Sequence, residues 1–250
     1  MNTMELDGTW LEQFFPEGFP YPSSTLIGGP GGTGKPLVAL ALAAQWLRLG
    51  GSVIAVPLQY ANIRDVADAM LELYNIDLAD YRRKFAYIQF DLAVDITEKN
   101  SDDTVNANLL KPEAWDAALT KAEELITKSD QGTLVLSTAL NLLLFSPTYR
   151  EALLEKLKTL LSQDRSRTHI CTVSTSVFEN DIESLEEASD NVLSVRMQRP
   201  MNLYLTINRM RNVSFVKDEQ RVPIESSVLK KMKQEAERTR TQLIPKLKKI

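Results

Sequence analysis

The sequence predicts an α/β domain with a mostly parallel central sheet flanked by helices and an antiparallel hairpin on its C-terminal edge. Three observations predict it. Short runs rich in valine, isoleucine and leucine alternate with longer stretches of helical period, the pattern of a parallel sheet covered by helices. The first such run leads into a glycine-rich loop that opens a helical stretch, Gly29-Pro30-Gly31-Gly32-Thr33-Gly34-Lys35. After about residue 190 the spacing tightens to two strand-like runs separated by Gln198-Arg199-Pro200.

The predicted strands cover 25–28, 52–56, 85–90, 133–136 and 169–173, and the predicted helices 36–48, 62–74, 112–127 and 148–162. Asn62 is placed to cap the second helix, and Pro112 and Pro147 fall where a helix start tolerates a missing N–H. The runs 191–195 and 202–207 read as the edge hairpin. Residues 92–110, including Glu98-Lys-Asn-Ser-Asp-Asp103, show little periodicity and are expected to form a long loop. The segment 225–250 is polar and helix-favouring, with eight Lys or Arg against three Glu. It divides the chain into a body, 1–224, and a basic helical tail, which reads as a solvated helix or as a docking tail for an acidic protein partner.

Composition narrows the function. A chain of 250 residues, 44% apolar and 25% charged, supports one domain with a full core. Asp and Glu exceed Lys and Arg by 33 to 29, so no general positive field gathers nucleic acid or anionic membrane. The single cysteine, Cys171, and single histidine, His169, exclude an internal disulfide and a zinc centre. Both fall in a predicted buried strand, where packing is their expected role. The N-terminal residues lack the basic start of a signal peptide, and the apolar run from Leu37 to Trp46 is far shorter than the roughly 20 residues a membrane span needs. A cytoplasmic location is expected.

Strand, glycine-rich loop and helix together are the context in which a G-x-x-x-x-G-K match carries chemistry. Glycines let consecutive N–H groups turn inward on a phosphate, and the following helix adds the positive end of its dipole. Lys35 supplies a mobile cation for the outer phosphates. The expected nucleotide-binding residues are Gly29, Pro30, Gly31, Gly32, Thr33, Gly34, Lys35, Pro36 and Leu37. Pro36 departs from the pattern. A Ser or Thr there would bind magnesium through its hydroxyl; proline lacks that hydroxyl and also the N–H aimed at a phosphate oxygen. One lost hydrogen bond to a charged group is worth about 1.5–3 kcal/mol, or roughly one to two powers of ten in affinity.

From Phe15 to about residue 224 the chain resembles the KaiC-like branch of the RecA superfamily of P-loop ATPases. The approach to the loop, from Pro16 to Gly29, is similar to that family's, as is the helix and exit from Ile63 to Leu78. Ile207-Asn-Arg-Met-Arg-Asn-Val-Ser214 resembles the family's basic signature, in which two cations one residue apart reach a neighbouring subunit's nucleotide. The resemblance therefore implies a RecA-like fold, an oligomer, bound ATP or ADP, and inter-subunit phosphate contacts from Arg209 and Arg211.

The family's hydrolytic residues do not carry over. The strand 133–136 is followed by Ser137-Thr138 instead of a metal-orienting acid, and after the second strand the water-polarising glutamates are replaced within Val56-Pro-Leu-Gln-Tyr-Ala61. Gln59 can orient a water without accepting its proton, and Asp91 is the nearest substitute acid. Neither makes a firm catalytic residue, no metal ligand is assigned, and magnesium is left undecided. Slow or absent hydrolysis is expected, since phosphoryl transfer leans on the metal for charge neutralisation. The leading expectation is a nucleotide-binding regulatory or scaffold subunit of a homo- or hetero-oligomer. The alternatives are a working ATPase that uses unorthodox ligands and a DNA-binding RecA paralogue.

Overall fold

A computed structural model of the protein describes residues 2–60 and 62–250. In chain order the strands are β1 Asn2–Met4, β2 Phe19–Tyr21, β3 Ser24–Gly28, β4 Ser52–Pro57, β5 Phe85–Phe90, β6 Thr97–Lys99, β7 Thr104–Ala107, β8 Thr133–Thr138, β9 Thr168–Thr172, β10 Asn191–Gln198, β11 Asn202–Arg209 and β12 Gln220–Arg221. The helices are α1 Lys35–Arg48, α2 Arg64–Tyr74, α3 Pro112–Leu125, α4 Arg150–Gln163, α5 Glu179–Ala188 and α6 Ser226–Leu247.

Ten strands form one sheet in the order β12-β11-β10-β3-β9-β8-β4-β5-β7-β6. Its middle is parallel from β10 through β7, and antiparallel pairing appears only at the two ends, β10–β11–β12 and β6–β7. The strands alternate their apolar residues between two faces, as a period of two requires. Ile27, Val53, Ala55, Leu134, Leu136 and Ile170 face the core under α1 and α2. Leu26, Ile54, Val56, Val135 and Cys171 face the other core, with Leu119 of α3, Leu157 of α4 and Leu185 of α5. Every residue of α1 except Arg48 is buried, which explains a helix made of Leu-Val-Ala-Leu-Ala-Leu-Ala-Ala with no polar stripe.

The predicted strands and first four helices lie where the sequence places them, with shifts of one to three residues at their ends. The segment 92–110 does not. It forms the β6–β7 pair, and β7 extends the parallel sheet by pairing with β5 from Tyr87↔Thr104 to Phe90↔Ala107. Val105 and Ala107 are buried on the sheet face; their burial, in a strand only four residues long, overrides the polar composition around them.

The basic C-terminal segment is helical, and α6 is packed along the body. Leu229 and Met232 are buried in the α1-side core, and Leu247 in the opposite one. Lys231 pairs with Glu72 of α2 at 2.7 Å, while at the far end the Thr148 hydroxyl donates to the Ile250 carbonyl. Between these anchors α6 passes over the C-terminal ends of β4 and β5, where Leu243 and Lys246 line a groove with Pro57 and Phe90. That edge is where parallel α/β sheets bind their ligands. Among the described residues no helix is long and apolar enough to cross a membrane.

Candidate functional site

The glycine-rich loop leaves β3 and turns into α1. At Gly29, φ is +152° and an added Cβ would sit 2.1 Å from the Val195 carbonyl oxygen, so no side chain fits. Gly34 caps α1 in the left-handed region, with φ 79° and ψ 15°, a conformation that glycine adopts without the penalty of a Cβ. Pro36 lies in the first turn, where its missing N–H breaks no bond of the helix.

Lys35 folds back across this loop. Its Nζ donates to the carbonyl oxygens of Gly29 at 2.9 Å and Pro30 at 2.7 Å and to Thr33 Oγ1 at 3.2 Å. The side chain is buried, and burial pulls its pKa down to about 8, with repulsion from Arg240 acting in the same direction. The Gly31 N–H, one of the donors expected to meet a phosphate, is bonded to Ser176 Oγ at 3.1 Å.

The loop, the strand ends and α6 enclose a cavity of about 60 Å³. Gln59, Ala139, Asn141, Thr172 and Ser174 line it from the ends of β4, β8 and β9, and none is acidic. Asn141 Oδ1 accepts from the Ser174 N–H at 2.8 Å, and Thr172 Oγ1 from the Ala139 N–H at 2.9 Å. Ala139 itself is left-handed, φ 58° and ψ 43°, an uncommon state for a residue with a Cβ. The roof is α6. Leu229 Cδ2 lies 2.8 Å from where a Cβ on Gly34 would be, Lys233 Cε 3.1 Å from that on Gly32, and Arg240 Nη1 3.0 Å from that on Gly31. The glycines expected to admit phosphate therefore also seat a helix of the same chain.

A divalent cation does not fit this donor set. Position 36 has no hydroxyl, and Ser137 is buried beside Cys171, its hydroxyl bonded to that thiol. The one carboxylate lining the cavity, Glu237, lies 3.9 Å from the Lys233 ammonium. Among the described residues no cluster of three His, Cys, Asp or Glu side chains is placed to hold a metal.

The other sequence candidates fall apart in space. Gln59 reaches the cavity, where its side chain bonds the buried Tyr60 hydroxyl. Asp91 does not; it caps its own turn, accepting from the Ala93 N–H at 2.9 Å and from Asn106 Nδ2 at 3.1 Å. Arg209 and Arg211 lie toward the opposite end of the sheet, since Arg211 pairs with Asp190, which accepts from the Ser24 N–H at the start of β3. Arg209 donates to the carbonyls of Glu186 and Ser189 at the end of α5, and Arg211 pairs with Asp190 at 2.7 Å.

No protein-family model and no curated protein sequence matches the chain. Among solved structures it is similar to a KaiC-like protein from the hyperthermophilic archaeon Pyrococcus horikoshii OT3, with a TM-score of 0.67 over 90% of this chain and 96% of that one. The fold is KaiC-like. At 15% identity the likeness is one of architecture; the KaiC-like fold places the glycine loop at the ligand edge of the sheet, and the chemistry rests on the side chains found there.

Lys233 and Arg240 are the site residues that sequence reasoning missed. The signal for them is a stripe: Leu229, Lys233, Ala236, Arg240, Leu243 and Leu247 recur at alternating steps of four and three, one face of a helix. Its apolar members pack on the body, and Lys233 and Arg240, though exposed, reach the glycine loop from the same face.

Proposed function

We propose that this chain binds the phosphate chain of ATP or ADP at residues 29–37 and hydrolyses it slowly or not at all, acting as a regulatory or scaffold subunit of an oligomer. The observation that carries the reading is the loop itself. It sits at the C-terminal end of a central parallel strand and the N-terminus of α1, with Lys35 Nζ within 3.2 Å of three loop oxygens. A phosphate oxygen entering there exchanges with those acceptors for the same ammonium protons and gains a charge-assisted bond.

Slow turnover is supported by the strand ends, which supply neither a metal-holding carboxylate nor a proton acceptor at Gln59. Phosphate release from ATP, compared with a Lys35→Ala control, tests this: release at background in both is expected, and magnesium-stimulated release that the substitution abolishes would sink it. Residues 1–224 form the binding unit in this reading and 225–250 its cover, and a cytoplasmic setting suits it.

An inter-subunit role for Arg209 and Arg211 requires each guanidinium to exchange its in-chain partners for a neighbour's phosphate. Sedimentation with and without ATP addresses that step. Assembly promoted by ATP and lost in Arg211→Ala supports it; a monomer in both conditions contradicts it.

A further inference from the structure

We infer that Lys233 and Arg240 of α6 are phosphate-binding residues acting within their own chain, and that together with Lys35 they supply the countercharge that a divalent cation would otherwise bring. The inference rests on the proposed phosphate-binding role of the loop and concerns how that same site neutralises its ligand. Three cations, Lys35, Lys233 and Arg240, and a single carboxylate, Glu237, line one small cavity. The cations come from opposite walls, Lys35 from the start of α1 and the other two from the roof, so a phosphate group between them is held from both sides.

The two roof cations are exposed to solvent, yet their side chains reach across the glycine loop. They occupy the docked stripe, between Leu229 and Leu247, which are both buried. Lysine and arginine buried along their stems and polar at the tip are common at such boundaries. Here the stem of Lys233 lies along Gly32, and the guanidinium of Arg240 lies over Gly31. Burial first, and repulsion from the Arg240 guanidinium second, hold the pKa of Lys35 down. A phosphate between Lys35 and Arg240 converts that repulsion into attraction.

The donor set on the other walls makes the same point. A triphosphate in a P-loop ordinarily shares its charge with magnesium held by a hydroxyl after the lysine and an acid on a neighbouring strand. Pro36 removes the first, and Ser137, turned to Cys171, removes the second. Arginine is permanently charged and forks onto phosphate oxygens, so Arg240 replaces the lost charge without needing a ligand set of its own. The cavity of about 60 Å³ admits one phosphate group while α6 is docked, against the roughly 300–1,000 Å³ of a pocket that encloses a whole small ligand. The shared chemistry is thus a metal-free phosphate group, either a free inorganic ion or the end of a nucleotide whose remainder lies outside the roof.

Calorimetry of the full chain with ATP, ADP and inorganic phosphate, each in excess EDTA and in excess magnesium, tests the inference and separates the two sources. Binding in EDTA at least as tight as in magnesium is expected, with Arg240→Ala weakening it by about tenfold to a hundredfold and Lys233→Ala by less. Arg240→Lys should recover part of the loss, and unchanged circular dichroism and melting would show that α6 stays docked in the variants. Binding that requires magnesium, or an Arg240→Ala protein that binds as tightly as the wild type, would overturn the inference while leaving phosphate binding at the loop intact. No binding of any of the three ligands under either condition would overturn the phosphate-binding role itself.

Discussion

Arg240 stands over Gly31 and Leu229 over Gly34, with Nη1 and Cδ2 lying 3.0 and 2.8 Å from where β-carbons on those glycines would be. The two contacts differ in what can yield. Arg240 is exposed at the end of a flexible side chain, whereas Leu229 is buried in the core and Gly34 is left-handed at φ +79°. Gly31→Ala is therefore expected to change unfolding free energy by less than about 0.5 kcal/mol. Gly34→Ala combines backbone strain with a core clash and should cost about 1–3 kcal/mol. Urea midpoints read the difference, and equal midpoints would mean that α6 does not rest on the loop as described.

Lys35 makes the loop sensitive to pH near 8, where burial first and Arg240 second have brought its pKa. Phosphate needs the ammonium, so the affinity of the free protein for ATP should fall as pH rises from 7.5 to 9.5, by at most about tenfold per unit. Stability moves the other way. The folded pKa lies below the unfolded value, so between about pH 8 and 10 the unfolded chain holds the extra proton and folding is favoured as pH rises. The slope attributable to Lys35 is at most about 1.4 kcal/mol per unit, and Lys35→Met should remove it. The tyrosines set the upper limit of the window: burial raises the pKa of Tyr60, Tyr74 and Tyr87, so their contribution is lost as pH climbs past the ordinary tyrosine range. Denaturant titrations at pH 7.5, 8.5 and 9.5 compare the two proteins below that limit.

Asp190 joins the loop-bearing strand to the far end of the molecule. It accepts from the Ser24 N–H at 3.0 Å and pairs with Arg165 at 3.0 Å and Arg211 at 2.7 Å, with only 8% of its side chain exposed. Removing it strands two guanidinium partners and a backbone N–H at once, so Asp190→Ala should cost about 3 kcal/mol or more. Arg211, itself about half exposed at 48%, should cost no more than about 1 kcal/mol as alanine. Thermal unfolding of both variants checks the order, and a reversed order would show that Arg211 rather than Asp190 organises this corner.

The sheet was legible wherever strands are buried on both faces, because Val53 to Val56 or Leu134 to Leu136 have no other use for continuous apolar runs. The loop was legible for a different reason: Gly29, Gly34 and Lys35 satisfy a local geometry whose residues are adjacent in sequence. β7 was not, since Thr104 to Ala107 gains its meaning only by pairing with β5, seventeen residues upstream. α5 carries an equally weak signal, with only Ile182 and Leu185 buried. The role of α6 was hidden by its charge. Eight cations in 225–250 read as solvated; the stripe with Leu229, Leu243 and Leu247 marks Lys233 and Arg240 only in retrospect, once contact with the glycines, more than 190 residues earlier in the chain, gives that face a partner.

Pro36 offers the most direct way to separate lost backbone chemistry from lost metal chemistry. Pro36→Thr restores both a hydroxyl and an N–H in the first turn of α1, at a cost of no more than about 1 kcal/mol of stability from the lost preset φ. The N–H can meet a phosphate oxygen directly, which is worth about 1.5–3 kcal/mol, or roughly tenfold to a hundredfold in affinity. The hydroxyl alone does not hold magnesium, because the strand ends lining the cavity are Gln59, Ala139, Asn141, Thr172 and Ser174 and bring no carboxylate. The gain in ATP affinity should therefore be the same in EDTA and in magnesium. Titrations under both conditions decide between the two parts of the lost motif: a gain confined to magnesium would mean that the remaining donors do support a cation, and that the countercharge assigned to α6 is not what the ligand meets.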